Sequence, residues 1–191
     1  MDRLRALAAA VLAASLIAGP AAAATETAVF AGGCFWSAEA AMEKLPGVAD
    51  VVSGYSGGTS QRPTYQNHEG HLEAVKVTYD PAKVSYATVV AYFFRHIDPT
   101  DPNGQFCDQG PAYQTAVFVK DEAERRTATA AKAHVQKLLG KPVATEVRAA
   151  ARFWPAEAYH QDFARKNPAR YNAYKVGCGR ERALKAVWAG R

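Results

Sequence analysis

Only three cysteines occur in the 191 residues. That is too few for a small fold stapled by disulfides, and the odd number leaves at least one thiol unpaired or paired only transiently. Beyond residue 24 no stretch is long and apolar enough to span a bilayer, which takes about 20 consecutive apolar residues. Internal repeats, low-complexity linkers and runs of one charge are absent as well. The formal net charge is +5, but Lys76, Lys83, Arg125, Arg126, Lys132, Lys166 and Arg180 are scattered and not interleaved with aromatics, so a nucleic-acid partner is not indicated. With 49% hydrophobic and 21% charged residues, the composition is that of a folded domain rather than a disordered chain. The length suits one domain, at roughly 100–200 residues each.

Arg3 and Arg5 precede an uncharged run from Ala6 that is ended by Gly19-Pro20 and the small residues Ala21 to Ala24. A basic start, a short apolar middle and an A-x-A-like site at Ala22-Ala23-Ala24 predict a signal peptide over residues 1–24. The competing reading is an uncleaved anchor, against which stand the alanine-rich middle and its break at Gly19-Pro20. No cysteine follows the small residues, so a lipid anchor is not indicated. Residues 25–191 are then a single domain, periplasmic or secreted, with no membrane attachment after cleavage. Removing Asp2, Arg3 and Arg5 lowers its net charge by one, to +4. All three cysteines lie in this part, where thiols in oxidising surroundings are either structural disulfides or redox-active.

The pattern of this domain is mixed. Strands are expected at 27–31, 48–55, 71–79, 115–119 and 143–149, from short apolar or alternating runs bounded by Gly, Pro and Asp. Helices are expected at 34–45, 85–97, 122–139, 156–163 and 181–188; Ser85 is a candidate cap, and Val89, Val90, Phe93, Phe94 and Ile97 fall on one helical face. The order strand–helix–strand–strand–helix–strand predicts an α+β fold, a split βαβ (ferredoxin-like) two-layer sandwich with extra C-terminal coil and helix.

Gly32-Gly33-Cys34-Phe35-Trp36 carries the strongest chemical signal. A cysteine at a strand-to-helix junction faces unpaired backbone N–H groups, which stabilise a thiolate and favour a nucleophile. The alternative is an inert buried cysteine at the base of a helix. Phe35 and Trp36 in one first turn cannot both face the core, so at least one is expected beside the sulfur, where an apolar wall suits a substrate with a small apolar group. Glu73 lies in an alternating strand and either shares the face of Val75 and Val77 or stands in solvent, the commoner place for glutamate. Cys178, between Gly177 and Gly179, is expected on a flexible segment.

Gly33-Cys34-Phe35-Trp36 followed by Glu39 resembles the signature of the A-type peptide methionine sulfoxide reductases. The resemblance continues through Gly54-Tyr55-Ser56-Gly57-Gly58, Pro63-Thr64-Tyr65, Gly70-His71-Leu72-Glu73-Ala74-Val75, Tyr79-Asp80-Pro81, Asp98-Pro99-Thr100 and Cys107-Asp108-Gln109-Gly110, then Phe153-Trp154-Pro155-Ala156-Glu157-Ala158-Tyr159-His160-Gln161-Asp162 and Cys178-Gly179-Arg180. It covers nearly all of residues 27–188. It implies that Cys34 attacks the sulfur of methionine S-sulfoxide, free or in proteins, releasing methionine and leaving a sulfenic acid. Phe35 and Trp36 would hold the substrate methyl group. Glu73 would protonate the oxygen, Tyr65 and Tyr113 would hydrogen-bond it, and Asp108 would belong to the same polar rim. A C-terminal cysteine, here Cys178, would resolve the sulfenic acid as an intramolecular disulfide, recycled by thioredoxin-like dithiols. Cys107 is left as a resolver, a relay thiol or a bystander.

No cofactor or metal is implied, and a monomer is expected. Three features depart from the usual pattern: the short segment between Tyr65 and Glu73, Gln114 after Tyr113, and Ser37 after Trp36. The residues offer three other readings. His68, Glu69, His71 and Glu73 lack the H-E-x-x-H spacing and helix of a metal site. His160 is a candidate hydrolase partner for Cys34, against a structural place in an aromatic cluster. A periplasmic binding module would join Cys34 and Cys178 in a structural disulfide.

Overall fold

The computed structural model describes residues 24–191; the expected signal peptide falls, apart from Ala24, outside the described residues. The strands are β1 (Glu26–Gly32), β2 (Val48–Ser56), β3 (Leu72–Tyr79), the two-residue β4 (Gly104–Gln105) and β5 (Asp108–Gln109), β6 (Thr115–Val119), β7 (Glu146–Ala149) and β8 (Trp154–Pro155). The helices are α1 (Phe35–Met42), α2 (Tyr86–Arg95), α3 (Glu122–Leu139), α4 (Phe163–Lys166), α5 (Pro168–Cys178) and α6 (Arg180–Val187). One mixed sheet runs β7-β6-β1-β3-β2-β8. Its pairings are antiparallel except β6 with β7. The α+β expectation holds, with six strands in the sheet.

Successive residues of a strand point to opposite faces, and here the two faces differ. Phe30, Val75, Val77, Tyr79, Val117 and Val119 join the main core with Phe35, Ala38 and Met42 of α1, Val89, Val90, Phe93 and Phe94 of α2, and Ala128, Val135 and Leu139 of α3. The opposite face carries a smaller cluster of Ala31, Leu72, Ala74, Ala116 and Phe118. The three helices therefore cover one face, and Phe30 stacks on Phe93 at 4.8 Å to tie sheet to helix.

Local chemistry sets the ends of these helices. Ser85 Oγ accepts from Thr88 N–H ahead of α2, and Asp121 Oδ1 accepts from Glu124 N–H ahead of α3, satisfying first-turn donors that have no partner within the helix. Gly140 closes α3 in the left-handed region at φ 64°.

The C-terminal part differs from the expected coil and single helix. Residues 156–163 form a short 3-10 turn, Ala158–His160, before α4, and α5 lies where no helix was expected. No residue of α5 is fully buried, so it lacks the apolar stripe by which helices are read from sequence. Cys178 is the last residue of α5 and not part of a loose glycine-rich tail; Gly179, at φ 66°, breaks the chain between α5 and α6.

Truncating Phe93 to Ala removes the aromatic contact between sheet and α2 and leaves a cavity. Its cost is expected at about 3–5 kcal/mol, the usual range for a buried Phe, measured by urea unfolding against wild type.

Candidate active site

Cys34 directly precedes α1 and is 7% exposed. Gly33, at φ +76°, makes the turn from β1; a Cβ there would come within 2.5 Å of the Gln105 side chain. Gln105 is buried, with its amide bonded to both the N–H and the C=O of Asp98. This packing seats the β4–β5 hairpin, whose tip carries Cys107, against the Cys34 turn.

The cap of α1 comes from another strand. Cys34 makes no side-chain capping bond, whereas Glu73 Oε2 on β3 accepts from Phe35 N–H at 2.9 Å. Glu73 is 1% exposed and projects to the core face with Val75 and Val77, as one sequence reading had it. Phe35 is buried against Tyr55 and His160. Trp36 is only partly buried and stacks on Phe163 at 3.6 Å and 4°. Neighbouring residues on α1 thus supply one core aromatic and one wall.

Each polar residue of the segment after Trp154 fastens a different piece. Trp154 and Pro155 pair with Tyr55 and Gly54 of β2. Glu157 accepts from the Tyr55 hydroxyl and from Tyr65 N–H. His160 Nδ1 accepts from the Trp36 indole at 3.0 Å, so His160 orients the aromatic wall; the hydrolase pairing with Cys34 gains no support. The Gln161 amide bonds both backbone groups of Ser53. Tyr65, 40% exposed, lies with its ring 4.7 Å from that of His160. Tyr65 and Tyr113 lie close enough to affect each other's hydroxyls, and both feel the charges of Glu73, Cys34 and Asp108. The structure therefore brings Cys34, Phe35, Trp36, Tyr65, Glu73, Asp108 and Tyr113 to one place.

A family model for peptide methionine sulfoxide reductases matches residues 26–191. The chain belongs to that family. It is 49% identical over 166 residues to a peptide methionine sulfoxide reductase MsrA 2 of Rhizobium meliloti, covering 86% of this chain and 84% of that one. It is 48% identical to a protein of the same name from Caulobacter vibrioides over the full length of both. The fold is similar to the crystal structure of Mxr1 from Saccharomyces cerevisiae in reduced form, with a TM-score of 0.71, 27% identity, and coverage of 76% of this chain and 87% of that one. As a member of this family the protein is an oxidoreductase.

The cysteines of this reductase are not paired as the binding-module reading required. Cys107 and Cys178 form a disulfide, and Cys34 is the free thiol. Cys107 is thus bonded to Cys178. The expected low thiol pKa is also corrected. Burial first, then the Glu73 and Asp108 carboxylates, push Cys34 up to about 12. The Phe35 N–H at the helix end is spent on Glu73, leaving the Trp36 N–H and the Tyr174 hydroxyl to oppose that rise. Burial likewise lifts Glu73 to about 8 against the Phe35 bond, with Asp108 adding to the rise.

Tyr174, on α5, was not anticipated. Its hydroxyl donates to Asp108 Oδ2 and lies near enough to the Cys34 sulfur for each to affect the other's titration. Arg180 was noted only as part of a motif. It is 5% exposed, donates to His96 C=O at 2.7 Å, lies 4.7 Å from the Phe106 ring, and draws the Asp108 carboxyl down against the effect of burial. Neither role was readable, because each contact is long-range. Ser37, the departure after Trp36, is buried with its hydroxyl unpartnered by protein.

Two buried carboxyls bind protons more tightly folded than unfolded: Glu73, raised to about 8, and Glu39 on α1, raised to about 7 by burial. A raised folded pKa gives stability that is complete below the unfolded value and lost as pH rises through the folded one. Urea midpoints are therefore expected to fall between about pH 4.5 and about pH 8, and a Glu39→Gln/Glu73→Gln double variant to flatten that fall.

Proposed function

We propose that the protein reduces methionine S-sulfoxide, free or in proteins, to methionine, repairing oxidised side chains. The observation that carries this reading is a buried, proton-holding Glu73 bonded to the N–H next to Cys34, beside an aromatic wall. A sulfoxide oxygen leaves poorly until protonated, and an acid with a pKa near the working pH suits that step. The Trp36 face takes the substrate methyl group, and Tyr65 and Tyr113 hydrogen-bond the oxygen. Cys34 attacks the sulfur as Glu73 gives its proton to the oxygen; Glu73 then regains the proton that the Cys34 thiol gives up. Methionine leaves, and the oxygen remains on Cys34 as a sulfenic acid.

The sulfenic acid condenses with the Cys178 thiol, forming a Cys34–Cys178 disulfide and water. The Cys107 thiolate then attacks the Cys178 sulfur, returning Cys34 as a thiol and leaving the Cys107–Cys178 disulfide. The observed pairing and the exposed position of Cys107 support this last step. A thioredoxin-like dithiol reduces that disulfide. The sheet order β6-β1-β3-β2 with α1 and α2 supports a split βαβ scaffold. The signal-like residues 1–24 support export to the periplasm or outside the cell, where residues 25–191 act as one catalytic domain and a monomer.

Cys34→Ser is expected to abolish dithiothreitol-dependent loss of S-sulfoxide, and undiminished activity would sink the reading. Glu73→Gln is expected to lower kcat/KM by roughly 10²–10⁴. Because Glu73 acts in its protonated form, wild-type kcat/KM should decline above about pH 8, a limb that the Gln variant loses. Cys178→Ser should still release one equivalent of methionine while stopping thioredoxin-supported turnover; normal turnover would make Cys107 the first resolver.

A further inference from the structure

Tyr174 stands where the substrate must go. Its hydroxyl donates to Asp108 Oδ2 and lies near enough to the Cys34 sulfur to influence its titration. Its ring is perpendicular to Trp36, with centroids 6.1 Å apart at 89°. These are the attacking sulfur, the polar rim and the methyl wall of the proposed reaction. A sulfoxide seated on Trp36 with its sulfur against Cys34 would occupy the same space. With the tyrosine there, Cys34 is left 7% exposed.

The disulfide holds this arrangement closed. Tyr174 and Cys178 are four residues apart on α5, hence on one helical face. Across from them, Cys107 and Asp108 are neighbours at the β4–β5 hairpin. The Tyr174–Asp108 hydrogen bond and the Cys178–Cys107 bond are therefore two adjacent links between one helix and one hairpin. No residue of α5 is fully buried, so the helix has no deep apolar anchor of its own.

We propose that the Cys107–Cys178 disulfide locks Tyr174 over Cys34 as a plug, so that the oxidised enzyme excludes methionine sulfoxide until a dithiol opens it. The inference rests on the function proposed above and adds control of access to it. Its chemical logic is a shortage of thiols. With Cys107 and Cys178 joined, an attack by Cys34 on a second sulfoxide would leave a sulfenic acid with no protein thiol to condense with. Further oxidation of such a species to the sulfinic acid is irreversible for most proteins. On opening, a dithiol gives two electrons and two protons to the disulfide and becomes a disulfide itself. Cys107 and Cys178 become thiols, α5 loses its covalent tether, and the pocket and the resolving thiols become available together.

The test measures alkylation of Cys34 by iodoacetamide, followed by digestion and mass mapping. It compares oxidised wild type, oxidised Tyr174→Ala and a Cys107→Ser/Cys178→Ser double variant in which no staple forms. Cys34 in oxidised wild type is expected to react at least about tenfold more slowly than in the double variant, since reaction there waits on local opening; oxidised Tyr174→Ala is expected to match the double variant. Equal rates in oxidised wild type and double variant overturn the plug, whatever the folding of the tyrosine variant. Slow labelling in a folded, oxidised Tyr174→Ala protein, checked by its thermal melt, overturns the assignment to Tyr174. The double variant is also given S-sulfoxide. Failure to release one equivalent of methionine would count against the proposed reaction and leave the labelling comparison intact.

Discussion

The bond from Phe35 N–H to the Glu73 carboxyl is the constraint on which the site depends. It crosses from α1 to β3 and joins an unsatisfied helix donor to a carboxyl that has lost its solvent. Each end has a need that the other meets. A first-turn N–H lacks a partner within its own helix, and a buried carboxyl without a hydrogen bond is costly. The same bond fixes Cys34, one residue away, relative to the acid. It also brings the Glu73 carboxyl close to the thiol, and burial first, then that carboxylate, is why a cysteine at a helix start has a raised pKa here and not a lowered one.

Around that bond the pocket is assembled by polar side chains working at the sheet edge rather than by the apolar core. Glu157 holds the Tyr65 loop through its backbone, His160 holds the Trp36 indole, and Gln161 holds its own segment to Ser53. His160 has its pKa lowered by burial, and as the neutral ring it keeps Nδ1 free to accept the indole proton. Three near-consecutive positions after a two-residue strand thus orient three separate elements. This explains why such a dense polar and aromatic motif occurs where no long helix or strand can form.

What was legible in the sequence is what local physics decides. The strand at 115–119 and the helix at 122–139 were read with their bounds, because alternation, Asp121 and Gly140 act within a few residues. Cys34, Phe35 and Trp36 were visible from their place after two glycines, whereas Glu73 was ambiguous by pattern and became a site residue through the resemblance. α5 and Tyr174 were hidden, since a helix with no fully buried residue carries no strong apolar period and the partners of Tyr174 lie 66 and 140 residues away along the chain. The Cys107–Cys178 pairing was hidden for the same reason: spacing along the chain says nothing about a contact made by a hairpin tip and a helix end.

The three thiols differ in access, and the difference gives the chemistry a direction. Cys34 is buried, Cys178 half-buried and Cys107 exposed. In the proposed reaction a small sulfoxide has to reach the buried sulfur, beside a carboxyl whose pKa burial raises to about 8. A protein reductant cannot follow it there. In the proposed cycle, passing the disulfide outward from Cys34 through Cys178 to Cys107 would separate the two requirements, so that the attacking thiol stays buried while the reductant meets an exposed sulfur.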